Sequence, residues 1–166
     1  MFGITTMAKP INDLSFWRDR IETAVRPQYS VYVAHDALWN RILDDHLAII
    51  LEHIKPNESV LDAGCGYGRM SQYLDNYTGV DFSPDFISLA KKNYPGEVFI
   101  QANLKQLPGK TGQFDWALVI SIKKMVEDNL GTDEWLQILQ ELKRVAKGVL
   151  ILEYEDSKNY EIIDNR

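Results

Sequence analysis

The sequence holds one cysteine, Cys65, and three histidines, His35, His46 and His53. A lone cysteine excludes an internal disulfide and gives no sign of an oxidising compartment. Cys65 has no base spaced to activate it, so it reads as a small packed residue rather than a nucleophile. His46 and His53 share one expected helix without a third ligand, so no metal is expected. No apolar run approaches the length of a membrane span, and the N-terminus lacks the charged-then-apolar order of a secretion signal. Basic residues are the minority: 18 Lys and Arg against 24 Asp and Glu, a net charge of −6. That balance disfavours broad attraction to nucleic acid and leaves at most a local basic patch. The expectations are no membrane, no nucleic-acid partner and a cytoplasmic location.

What is present is one domain's worth of chain, 166 residues with 45% hydrophobic content, enough for a proper core. Its organising stretch is Val60–Arg69. Val60, Leu61 and Ala63 read as the end of a buried strand, and Gly64, Gly66 and Gly68 as a tight turn. A helix is expected to begin near Gly68, its free N–H groups suited to a small anion such as a carboxylate. A dinucleotide fingerprint would place a third glycine where Arg69 stands, which argues against a pyrophosphate site. Thr78–Asp81 is a short strand ending in an acid, where a carboxylate meets a ribose held at the first turn. From the residues alone, the ligand is a nucleoside with a small charged tail.

Taken in order, residues 1–10 read as a flexible terminus. Asn12 or Asp13 caps a helix to about Val25, and a second helix runs from about Ala34 to Ile54. Residues 11–54 are thus N-terminal helices that form a lid or cover, and residues 55–166 are the α/β core. Arg69–Asn76 reads as a short helix. Ser83 and Pro84 open another, with serine at the cap and proline at the first helical position. Strands follow at Glu97–Gln101 and Gln113–Ile120. Thr132 caps a helix that Lys147 and Gly148 close, and Val149–Tyr154 is the fifth strand. Strands alternating with helices imply a parallel sheet with ligands beyond the strand C-termini.

Val60–Arg69 followed by Gly79–Pro84 resembles the cofactor half of the class I S-adenosylmethionine-dependent methyltransferases. The resemblance covers roughly Val60 to Tyr154. It implies the cofactor S-adenosylmethionine and an α/β Rossmann-like three-layer sandwich, with a mainly parallel five-stranded sheet in the order 3-2-1-4-5. The family sheet usually continues with a helix and two more strands, which Glu155–Arg166 cannot hold. A short form with its fifth strand at an edge is therefore expected. Charge at Glu153, Glu155 and Asp156, or a homodimer paired through that edge, would answer it.

The resemblance also implies roles. Asp62 helps hold the methionyl amino group beside Gly64, Cys65, Gly66 and Gly68, or it bonds loop amides. Asp81 accepts both ribose hydroxyls, and Ser83 joins the cofactor-binding set while also capping the next helix. Phe82 packs on the adenine or in the core. Asn103 accepts from the adenine amino group or is a turn asparagine, and Leu104 offers a backbone N–H. Ile120 and Ser121 neighbour the methionine part. Arg69 contacts the cofactor carboxylate or a substrate, or is a surface arginine. Asp115 is a structural position. Lys123, Lys124, Glu127 and Asp128 fall where the family's substrate residues cluster, though most of them read first as a solvated charged loop.

The implied activity is methyl transfer to a small-molecule acceptor. The alternatives are a non-catalytic cofactor-binding or partner module, and an enzyme that cleaves S-adenosylmethionine on the same scaffold. The catalytic residue is not identified; the candidates are Tyr32, His35 and Lys123. Tyr29, Tyr32, His35 and Trp39 are lid candidates. The acidic balance leans toward a small or cationic acceptor such as an amine.

Overall fold

The computed structural model describes residues 11–24, 36–154 and 156–165. The terminus 1–10 and the candidates Tyr29, Tyr32 and His35 lie outside the described residues. Strands β1 (Val60–Ala63), β2 (Tyr77–Asp81), β3 (Val98–Gln101), β4 (Phe114–Ile120), β5 (Ala146–Leu152) and β6 (Tyr160–Asp164) form one sheet. Its order is β3-β2-β1-β4-β5-β6. The first five strands are parallel, as expected. β6 runs antiparallel to β5, Ile162 opposite Leu150 and Ile163 opposite Val149.

The sixth strand corrects the expectation of a five-stranded sheet. A parallel addition would need a long crossover, but an antiparallel one needs only a short reversal. The chain makes that reversal between Leu152 and Tyr160. The edge of β5 is therefore covered from within the chain, which removes the exposed edge that suggested a homodimer.

Strand alternation sorts the core into two layers. Val60, Leu118, Leu150 and Leu152 face a cluster with Ile49, Ile50, Ile54, Ile87 and Ala90. Ile49 and Ile50 belong to α2 (Asp36–His53) with Ile54 just past its end, and Ile87 and Ala90 belong to α3 (Pro84–Asn93). Leu61, Ala63, Val119, Val149 and Ile151 face the other way, toward Val126 of α4 (Lys123–Leu130) and Trp135, Ile138 and Leu142 of α5 (Thr132–Val145). The strands are apolar on both faces because both are covered. Truncating Leu118 or Leu150, each fully buried, to alanine would cost about 2–5 kcal/mol.

Several local expectations are revised. Arg69–Asn76 is not an α-helix. Only Arg69–Gln72 forms a single 3-10 turn, entered through Gly68 at φ +84° with no side-chain cap. One such turn leaves no helix dipole to hold an anion. Thr132 is the first residue of α5, and the cap position is Gly131 at φ +97°. Gly148 is no helix cap; it lies inside β5 beneath Trp116, where an added Cβ would sit 2.7 Å from the indole. Residues 123–130 are helical instead of a charged loop, with Lys124 and Asp128 paired at 2.7 Å across one turn.

Two expected caps are present. The Ser83 hydroxyl accepts from the Phe86 N–H at 3.3 Å, with Pro84 at the first helical position of α3. Asp13 accepts from the Ser15 N–H at 2.8 Å at the start of α1 (Leu14–Thr23). α1 packs beside α3, with Arg18 on Asp85 at 3.0 Å. Asp115 is structural: one oxygen takes Ser59, the other takes Lys147 at 2.7 Å, and its pKa is lowered to about 2, led by the Lys147 bond. Among the described residues no helix is long and apolar enough to cross a membrane, and no cluster could hold a metal ion.

Candidate functional site

A cavity of about 450 Å³ opens beyond the C-terminal ends of β1, β2 and β4, within the range of small-molecule sites. The glycine turn makes its floor. Gly64 sits at φ +83°, and its amide and that of Cys65 both donate to the Val80 carbonyl, at 2.8 and 2.9 Å. The turn at Gly68, φ +84°, folds under Phe99, where a Cβ would stand 2.6 Å from the ring. Left-handed backbone plus this contact explains why the turn must be glycine.

Two carboxylates face this turn. Asp81 ends β2, and its oxygens accept from the Gly66 N–H at 3.0 Å and the Ser83 N–H at 2.9 Å. Burial pushes its pKa up to about 6, against the lowering effect of those bonds. Asp62 lies on β1, and accepts from the Tyr77 hydroxyl at 2.7 Å. Burial raises it to about 6 as well, with the Tyr77 bond and Arg69 acting the other way. Each carboxylate keeps further acceptor lone pairs beyond these bonds.

Arg69 is not a surface arginine. Its guanidinium carbon lies 4.6 Å from the centroid of the Trp39 ring, and its Nη1 is buried with no hydrogen-bond partner among the described residues. An unmet buried donor of this kind is costly unless a ligand meets it. Burial of Cys65 drives its thiol pKa upward, consistent with a packed residue rather than a nucleophile.

Most expected cofactor residues line the one cavity: Asp62, Gly64, Cys65, Gly66 and Arg69 at the first turn, Asp81 and Phe82 at the second. Asn103 and Leu104 follow β3, and Ile120 and Ser121 end β4. Asn103 already uses its Oδ1 to accept from the Lys105 N–H at 2.9 Å, a turn asparagine on the cavity rim. Ser121 adopts φ +59°, rare for a non-glycine residue, and donates its N–H to the Leu152 carbonyl at 2.8 Å. Gly68 and Ser83 are not lining residues; one packs behind the turn, the other caps α3. Nor is Lys123, whose ammonium pairs with Glu161 of β6.

Sequence reasoning named Trp39 as a lid candidate but singled out no other residue of the cavity's other wall: Phe16 and Trp17 from α1, Ile42 and His46 from α2, and Phe86 from α3 line it beside Trp39. The Trp17 indole N–H donates to the Ile11 carbonyl at 2.7 Å. The signal was available: Trp39, Ile42 and His46 recur at helical spacing on one face of α2.

The donor set fits a nucleoside carrying an amino-acid tail. Asp81 offers acceptors that would suit a diol, Asp62 a carboxylate that would suit an ammonium, and Arg69 a cationic donor that would suit a carboxylate.

Comparison with known proteins follows the same line. A family model described as "Methyltransferase domain" matches residues 61–152. The chain is 34% identical over 106 residues to an uncharacterized methyltransferase of Bacillus subtilis, covering 58% of this chain and 42% of that one. It is 31% identical over 108 residues to the mitochondrial ubiquinone biosynthesis O-methyltransferase of Saccharomyces cerevisiae, covering 59% and 34%. The chain therefore spans less than half the length of these relatives. Among solved structures, it is similar to an S-adenosylmethionine-dependent methyltransferase of Methanosarcina mazei, with TM-score 0.54, 26% identity, and 62% and 55% of the two chains covered. The magnesium protoporphyrin IX methyltransferase of Synechocystis shares the fold at TM-score 0.61 and 18% identity, covering 85% and 76%.

Proposed function

Because the chain belongs to the methyltransferase-domain family, in its S-adenosylmethionine-dependent class I branch, we propose that it methylates a small-molecule acceptor. When bound, S-adenosylmethionine supplies a methyl group already activated on a sulfonium. The protein's share is then to hold, orient and keep dry, and such positioning lowers a barrier by about 7–11 kcal/mol.

In this reading Asp81 holds the ribose hydroxyls, and its bonds to Gly66 and Ser83 fix its orientation. Asp62 takes the α-ammonium, steadied by the Tyr77 hydroxyl. Arg69 takes the carboxylate through its guanidinium, whose Nη1 has no hydrogen-bond partner among the described residues. Phe82, Asn103 and Leu104 flank the adenine. Helices α1 and α2 cover the cavity and exclude water, with the acceptor entering against their aromatic side chains. The carrying observation is the convergence of Asp62, Asp81 and Arg69 on one cavity at the glycine turn.

Titration calorimetry with S-adenosylhomocysteine tests it. Micromolar binding that is lost in Asp81→Ala is the expected result. No binding to the unaltered protein would end the proposal.

A further inference from the structure

Tyr77 opens β2, and the parallel register sets it beside Val60 and sets Gly79 beside Asp62. Tyr77 and Asp62 therefore share one face of the sheet, on neighbouring strands and two positions apart. To reach the carboxylate, the tyrosine side chain has to run along β2 over position 79. It does so: the hydroxyl donates to Asp62 Oδ2 at 2.7 Å. Glycine keeps that passage open. A Cβ at position 79 would stand 2.9 Å from the Tyr77 hydroxyl oxygen and 2.7 Å from the Phe99 ring. Phe99 meets the Tyr77 ring edge-on, with centroids 5.9 Å apart, and walls the other side of the track. Both partners are buried, Tyr77 at 4% exposure and Asp62 at 3%. Burial and the nearby Asp62 carboxylate push the phenol pKa well above its usual value, so the hydroxyl keeps its proton and donates.

We infer that Tyr77 is the positioning residue of an amine subsite: its hydroxyl, delivered past Gly79, pins one Asp62 oxygen and leaves the other as a fixed negative acceptor, so that the site selects a nucleoside tail bearing a protonated amine over the same tail without one. The inference rests on the cofactor reading above and assigns the selection to a residue behind the ligand. Asp62 lines the cavity and Tyr77 does not, so the tyrosine acts through the carboxylate. Gly79 is the second element of the device, because any side chain there would meet the hydroxyl before Asp62 did.

The charged groups that face Asp62 are Arg69 on the 3-10 turn and Asp81 at the end of β2; Tyr77 and Cys65 are its neutral titratable neighbours. Burial raises the Asp62 carboxyl to about 6, and the Tyr77 bond is the largest effect in the opposite direction, ahead of Arg69. Without the hydroxyl, Asp62 takes up its proton at a higher pH. A neutral carboxyl offers an ammonium no charge, and an unpinned one is free to turn.

The test is titration calorimetry on the full chain and on Tyr77→Phe, from about pH 5 to about pH 9. The probes are S-adenosylhomocysteine and its desamino analogue, which keeps the carboxylate and lacks only the amine. Near neutral pH, Tyr77→Phe should bind S-adenosylhomocysteine about tenfold more weakly than the unaltered protein does. It should bind the analogue no more weakly, which also shows that the variant folds. In both proteins the preference for the amine should fade as pH falls, and its midpoint should lie about one unit or more higher in Tyr77→Phe. Equal weakening of both ligands would mean a packing role and overturn the inference. An unchanged amine preference in Tyr77→Phe, a midpoint that stays in place, or equal affinity of the two ligands for the unaltered protein would overturn it as well. Absence of S-adenosylhomocysteine binding to the unaltered protein would overturn the cofactor reading instead.

Discussion

The guanidinium of Arg69 stacks on the indole of Trp39, 4.6 Å from carbon to ring centroid, and this contact joins the glycine turn to the N-terminal helices. Stacking leaves the guanidinium edge free to donate, so Arg69 can serve a carboxylate without leaving the ring. Arg69→Ala should weaken S-adenosylhomocysteine binding about 10- to 100-fold, the worth of one charged hydrogen bond. Arg69→Lys should recover only part, because an ammonium neither stacks nor donates as a planar fork. Calorimetry on both variants checks this.

Asp81 gives a pH dependence of defined sign. Its pKa is raised to about 6 in the folded chain, and only the ionised form can accept from a diol through both oxygens. Ligand binding should therefore release a proton. S-adenosylhomocysteine affinity should hold above pH 7 and fall about tenfold per unit below pH 6. Titrations in buffers of different ionisation enthalpy read the proton directly, and uptake in place of release would contradict the assignment.

Stability of the ligand-free chain should carry two opposed terms. Asp62 and Asp81 rise from 3.8 to about 6 on folding, so they favour the fold at low pH and lose that contribution as pH rises through 6. His46 falls from 6.5 to about 4, so its contribution is present above 6.5 and lost as pH falls toward 4. In His46→Leu the melting temperature should climb between pH 7 and 5. In Asp62→Asn/Asp81→Asn it should drop over the same interval. Each term is about 3 kcal/mol at most, or several degrees for a chain of this size. Scanning calorimetry separates the slopes.

Gly68→Ala should destabilise without touching the ligand. The new methyl meets the Phe99 ring at 2.6 Å and the backbone stays at φ +84°. We expect a loss of about 2–4 kcal/mol. Adding Phe99→Leu should recover the steric part alone.

Removing residues 156–166 should uncover the edge of β5. An open apolar edge pairs with another copy, so light scattering should show concentration-dependent self-association that the full chain lacks. A monodisperse truncated chain would mean that β6 is dispensable.

Legibility in the sequence followed the strength of local signals. β1, the glycine turn and Asp81 were readable because glycine at fixed offsets and an acid at a strand end have few other uses. The second-layer helix α4 was not. Its segment, Lys123–Leu130, presents charges to water and buries only Val126, so its apolar stripe is too thin to announce a helix. β6 escaped for a similar reason: Tyr160–Asp164 is almost wholly exposed and takes its order from pairing with β5. The 3-10 turn was over-read as a helix because glycine turns often feed helices, yet Leu74 and Tyr77 must bury within a few residues of Arg69. His46 looked like an ordinary helical residue; only packing against the end of β5 reveals its unmet nitrogen.

The left-handed bend at Ser121 fastens the end of β4 to that of β5 through the Leu152 carbonyl. Glu153 adds a second tie by accepting from the Lys124 N–H at 3.0 Å, and Lys123 a third through Glu161. That rim is stapled three times over, so it gives way to no guest. In the proposed methyl-transfer reading, accommodation of differently shaped acceptors is left to the aromatic side chains of α1 and α2, and a programme to retune selectivity would begin there.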